Sequence, residues 1–128
     1  MAAAVVSDNF ETSTGAIPNL GGADVTTRLC SAWVNFNGTG TVAIRASYNV
    51  SSIVDNAVGD YTINFTTAMV DASYSVSGLG SVGSAGTGWG DLTVRDNSAV
   101  PTASALRLGH IGNSSWTDCT FGNVQIFR

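Results

Sequence analysis

The chain has 128 residues, five arginines, no lysine, a single glutamate (Glu11) and a net charge of −4, and charged residues make up 11% of it against about 25% in ordinary globular domains. That length suits one domain with one hydrophobic core. Five scattered cations (Arg28, Arg45, Arg95, Arg107 and Arg128) form no basic patch, which argues against DNA or RNA as a partner, because such binding draws its free energy from Lys and Arg neutralising phosphates.

Residues 1–28 show no sustained period. Asp8-Asn9, Ser13-Thr14-Gly15, Pro18-Asn19 and Gly21-Gly22 interrupt them at short intervals, so they read as an extended N-terminal arm with Phe10, Ile17 and Leu20 as isolated apolar anchors. Three large apolar side chains on so polar a segment predict a tether that docks on a neighbouring subunit or a larger assembly. The apolar run Met1–Val6 lacks a basic flank and is too short to insert in a membrane, so the chain is expected to fold in a cytoplasm. Cys30 and Cys119 are then reduced and act as small hydrophobes.

Residues 29–128 read as an all-β domain, since Thr, Val, Ser, Asn and Gly rank low in helix propensity. Ala32, Val34 and Phe36 recur at every second position, the period of a strand with one face on a core. Asn37-Gly38-Thr39-Gly40 then suits a hairpin turn. Val42, Ile44, Ala46 and Tyr48 alternate with Thr41, Ala43, Arg45 and Ser47, which predicts a second strand with the first set inward and Arg45 in water. A short strand over residues 50–53, a turn over residues 55–60 and a strand with Tyr61, Ile63 and Phe65 inward follow. Tyr74 and Val76 continue the sheet.

Residues 78–90 carry glycine at nearly every second or third position. With no lysine the segment cannot be a P-loop, and no helix pattern follows it; it is expected to be a flexible exposed loop presenting Trp89. Leu92 and Val94 mark another strand, residues 96–101 a turn, and Leu106 and Leu108 the next strand, ending at Gly109-His110. Residues 111–118 make a polar connection holding Asn113 and Trp116. In the last strand, residues 121–127, Val124 and Ile126 face one way and Asn123, Gln125 and Phe127 the other. Seven or eight short strands with turns about every ten residues predict an antiparallel, jelly-roll-like β-sandwich.

The run AWVNFNGTGTVAIRASYNVSS, followed by DYTINFTTAM and DASYSVSG, resembles a domain of tail-fibre and related virion-surface proteins of tailed bacteriophages. The resemblance covers the middle of the chain; the family often has proline after the methionine, where Val70 stands here. It implies a structural protein of a virion, a homotrimer, attached by its arm to other virion proteins. Trp33 and Phe127 lie opposite the core sides of their strands, so they are the expected interface between copies. A capsid decoration or head-fibre protein is the alternative that the same composition serves.

Candidate chemistry is sparse. Six of the nine acids sit in turn contexts suited to Asx hydrogen bonds, and Asp24 and Asp91, outside them, are not placed together as a glycan-cleaving carboxyl pair requires. His110 is the sole histidine, read as a surface residue, and no GxSxG elbow accompanies it. Two distant cysteines and one histidine cannot close a zinc site, and turn geometry explains Asp55, Asn56 and Asp60 better than calcium does. The reading is a protein without enzymatic activity, cofactor or metal. Binding is better supported: Trp89, Asp91, Asn113 and Trp116 combine aromatic faces with polar neighbours, as host-surface polysaccharide contact requires.

Overall fold

Runs of alternating apolar residues become strands of one antiparallel sheet. The computed structural model describes residues 19–20, 23–24, 29–83, 88–95 and 100–128, and no helix occurs among them. The strands are β1 (Asn19–Leu20), β2 (Ala23–Asp24), β3 (Cys30–Asn37), β4 (Ala43–Tyr48), β5 (Val50–Ala57), β6 (Asp60–Phe65), β7 (Ser75–Val82), β8 (Gly88–Val94), β9 (Ala105–Gly112), β10 (Ser115–Trp116) and β11 (Phe121–Phe127). The main sheet runs β4-β3-β11-β7-β8-β9-β6-β5, with β10 paired to β9, while β1 and β2 form a separate ladder.

Its two outermost strands, β4 and β5, are consecutive in sequence and separated by Asn49 alone. The sheet therefore curls until its ends adjoin, giving a nearly closed, sandwich-like all-β fold. Asn49 takes the left-handed conformation (φ 56°), which asparagine tolerates better than most residues. Its side chain holds this corner: Nδ2 donates to the carbonyls of Ser31 and Thr67, and Oδ1 accepts the Thr67 amide.

Inside lie Ala32, Val34 and Phe36 of β3, Tyr61, Ile63 and Phe65 of β6, Leu106 and Leu108 of β9, and Val124 and Ile126 of β11. These are the faces that alternation predicts, and Leu92 and Val94 pack against the same core. Tyr61 meets Phe36 edge-on, with ring centroids 5.2 Å apart. Its hydroxyl accepts the Cys119 amide and lies within reach of the Gly38 carbonyl and Asp118 Oδ1, which also accepts the Gly59 amide. One buried phenol thus ties together three stretches of chain.

Several expectations need correction. Asn35 opposes Ala46 and Phe36 opposes Ile44, so Arg45 is an extra residue in β4, a β-bulge. Directly opposed residues share a face, so Ile44 stands on the side of Phe36, and Tyr48, opposite Trp33, on the outer side. Both remain exposed. Released from the ladder, Arg45 donates to the carbonyls of Phe36 and Thr120 and lies 4.2 Å over the Phe121 ring. The strand expected over residues 50–53 extends to Ala57, pairs with β6 through two register shifts, and leaves only Val58-Gly59 as the turn.

The glycine-rich segment is not a flexible loop: its described residues form β7 and β8, the arms of a hairpin. Gly122, Gly80, Gly90 and Gly112 oppose one another across β11, β7, β8 and β9 as a transverse row. Large side chains fill the space these positions leave. A Cβ at Gly122 would stand 2.3 Å from the Phe36 ring, and one at Gly112 would stand 2.4 Å from Val82 Cγ1. The periodicity of β7 and β8 is ordinary, but half of its inner positions are filled by a neighbour's side chain instead of their own. His110 belongs to this arrangement. It lies within β9 rather than at a strand end and is fully buried, not at the surface.

Candidate functional site

On β8 the inward Gly88, Gly90, Leu92 and Val94 alternate with Trp89, Asp91 and Thr93, which point outward, and Trp89 is 64% exposed. Asp91 opposes Ile111, and Ile111 opposes Trp116. Asp91 and Trp116 therefore share a row two strands apart, about 10 Å. Asn113 and Ser114 form the two-residue turn between β9 and β10, both with positive φ (52° and 72°), the conformation of a type I′ hairpin. The structure thus brings Trp89, Asp91 and Trp116 to one outer surface with Asn113 at its rim. Trp89 and Asp91 ride on a strand, where a loop was expected.

A charged cluster adjoins them. Asp60 begins β6 and is 3% exposed. Arg107 of β9 grips it with two hydrogen bonds of 2.7 Å, from Nε to Oδ1 and from Nη2 to Oδ2. Asn56 Nδ2 adds a longer bond, and Arg95 Nη1 stands 3.5 Å from Oδ2. The reading of Asp60 as a turn residue is therefore corrected: it is the buried anion between two guanidinium groups. The Arg107 hydrogen bonds, opposed by burial and helped by both positive charges, hold its carboxyl below the ordinary carboxylate range.

Trp116 closes this cluster. The Arg95 guanidinium lies 4.4 Å over its ring, a cation–π arrangement. The ring edge rests on Gly109, where a Cβ would stand 2.2 Å from Cζ3. Trp116 keeps 45% of its surface exposed. Sequence reasoning singled out Trp116 and missed Asp60, Arg95, Arg107 and Gly109. Arg107 between Leu106 and Leu108 signals an outward position, but nothing local shows that β6, β8 and β9 are neighbours.

A second outer surface covers β4, β3, β11 and β7. One row reads Tyr48, Trp33, Gln125, Ser77, and the next Ala46, Asn35, Asn123, Leu79. Phe127, opposite Ser75, borders them. The Asn35 amide donates to Asn123 Oδ1, and the Ser77 hydroxyl to Gln125 Oε1. Trp33, Tyr48 and Phe127 are exposed, and Leu79 is 74% exposed. A depression of about 420 Å³ lies between Trp33, Asn35, Asn123, Gln125 and Phe127. These rows carry no charged side chain; Arg45 stands at one end and the Asp71–Arg128 ion pair at the other. Trp33 and Phe127, named from sequence, do share this surface.

Of the expected arm anchors, Phe10 and Ile17 lie outside the described residues, and Leu20 pairs through its backbone with Ala23. Phe127 opposes Cys30 while the Gly38 amide donates to the Cys119 carbonyl, which puts the cysteines at opposite ends of the β3–β11 pair, about 25 Å apart; both are free thiols. Burial pushes the Cys119 thiol up to about 11. No group of three or more His, Cys, Asp or Glu converges among the described residues. Comparison with known protein families, curated proteins and solved structures returns no match.

Proposed function

We propose that this chain is a structural, non-enzymatic protein of a tailed-phage particle, tail-fibre-like, that self-associates as a homotrimer through the outer face of β3 and β11. Residues 1–28 attach it to other virion proteins, and the β8–β10 surface meets host glycans. The observation that carries the reading is the uncharged, aromatic outer face in a chain of net charge −4. Copies with the same net charge repel over most of their surface, so a neutral face rich in Trp, Tyr, Phe and side-chain amides is where they can approach. The resemblance of residues 32–78 to tail-fibre domains supports the particle.

Sedimentation of the purified protein tests association. A trimer is expected, and Trp33→Glu, which puts a charge into the centre of the face, is expected to give monomers with an unchanged circular dichroism spectrum. A wild-type monomer at high concentration would overturn the reading. Immunogold labelling of particles separates a tail position from a shell position, and label on the shell would favour the capsid-decoration alternative.

A further inference from the structure

We propose that the Trp116 surface binds an acidic sugar, with the carboxylate on Arg95, the ring against Trp116, and hydroxyl groups on Asp91 and Thr93. This rests on the reading that the β8–β10 surface meets glycans, and it names their class.

Arg107 takes both oxygens of Asp60, whereas Arg95 stands 3.5 Å from Oδ2, beyond hydrogen-bonding distance. Arg45, Arg107 and Arg128 each donate two guanidinium hydrogen bonds. Arg95 donates none from its side chain among the described residues, and its Nε is buried without a partner. A guanidinium carries five N–H donors; the Nε–H is closed off, but the side chain keeps 17% of its surface exposed, so its terminal N–H groups have hydrogens to offer a ligand. Asp60 between two guanidinium groups leaves one positive charge without a contacting counterion, Asp91 standing about 10 Å from Trp116 on the same face. A ligand carboxylate supplies both the acceptors and the charge, in the planar geometry that guanidinium matches best.

Trp116 and Asp91 narrow the choice of anion. Trp116 keeps Arg95 in place by stacking and retains exposed ring surface beside it, a platform for the apolar side of a sugar ring. Asp91 and Thr93 are exposed on the same outward side of β8. Asp91 repels a bare phosphate or sulfate, whereas it accepts hydroxyl donors from a sugar whose single carboxylate sits on Arg95. Cation, aromatic face and acid together fit a uronic-acid type of residue better than a neutral sugar or an inorganic anion.

The test uses the full chain on an array of bacterial surface polysaccharides, each printed native and after chemical reduction of its carboxyl groups to alcohols. Binding is expected on carboxylated polysaccharides, falling by about tenfold or more on reduction and likewise in Arg95→Gln, the loss typical of one charge-assisted contact. Equal binding to native and reduced forms would overturn the acidic-sugar assignment and leave glycan contact standing; binding to no polysaccharide would overturn both. An NMR titration of the wild type needs no variant to fold. Sodium glucuronate should move the Arg95 Nε–H and Trp116 indole N–H signals while glucose leaves them in place, and unmoved signals or equal shifts with both sugars would overturn the proposal.

Discussion

The imidazole of His110 lies over Gly80 so closely that a Cβ there would stand 2.3 Å from Cδ2, and the same ring would meet a Cβ on Gly90 at 2.2 Å. Its Nδ1 is 2.6 Å from the Thr117 carbonyl, which can only accept, so Nδ1 carries the proton. Nε2 is buried with no partner among the described residues. A polar ring is thus accommodated by two residues without side chains. Gly80→Ala is expected to destabilise the fold by about 1–3 kcal/mol, the usual cost of overpacking, measured by urea unfolding. Adding His110→Ala removes the obstacle, so the double variant should be more stable than the sum of the two single effects predicts. Strict additivity would refute the contact.

Asp60 gives a pH-dependent prediction. Its carboxyl titrates below its ordinary value of 3.8 in the folded state, so the stability it contributes is fully present above that value. It is lost as pH falls through the folded-state pKa. Asp60→Asn leaves Arg107 and Arg95 without a counterion and should cost about 3 kcal/mol at pH 7, as breaking a partly buried pair does. The gap between wild type and variant should be constant from pH 7 to 5 and close at more acid pH. A gap that fails to narrow as the pH falls below 3.8 would mean the loss is not electrostatic.

The two thiols should differ in reactivity. Cys119 is fully buried and its thiol stays protonated until about pH 11, and the thiolate is the reactive form. Cys30 is partly exposed. A disulfide reagent at pH 8 should label Cys30 first and reach Cys119 only on unfolding. The raised thiol also contributes stability below its unfolded value of about 9 that is lost as pH climbs toward about 11. Simultaneous labelling of both would contradict the assigned burial.

The two tryptophans near the charged cluster should separate in a stability measurement. Trp89 is largely exposed, so Trp89→Ala should change unfolding free energy by less than about 0.5 kcal/mol. Trp116 rests on Gly109 and stacks with Arg95, so Trp116→Ala should cost about 1–2 kcal/mol. Equal effects would mean that Trp116 is as loosely held as Trp89.

Where a strand buries its own side chains, its sequence is legible: Val34 and Phe36, Tyr61 and Ile63, and Val124 and Ile126 all face inward as their alternation requires. Arg45 shows one limit. A bulge adds a residue without altering composition, so the period-two pattern of β4 continues past the point where its faces exchange. Gly80 and Gly90 show another, because an inner position filled by His110 from a neighbouring strand leaves no apolar mark of its own. His110 itself could have been found by extending the alternation of Leu106 and Leu108 by one more step. Asp60 could not, since its burial depends on Arg107 and Arg95, 47 and 35 positions away, folding onto it.

The irregular pairing of β4 and β5 limits how this protein can polymerise. An open sheet offers its flanks as templates for unlimited strand-by-strand lengthening, yet Arg45 disrupts one flank and two register shifts disrupt the other. Bulged strands at both margins make poor templates for a further strand. For the proposed trimer this leaves side-chain contacts between outer faces as the route of assembly.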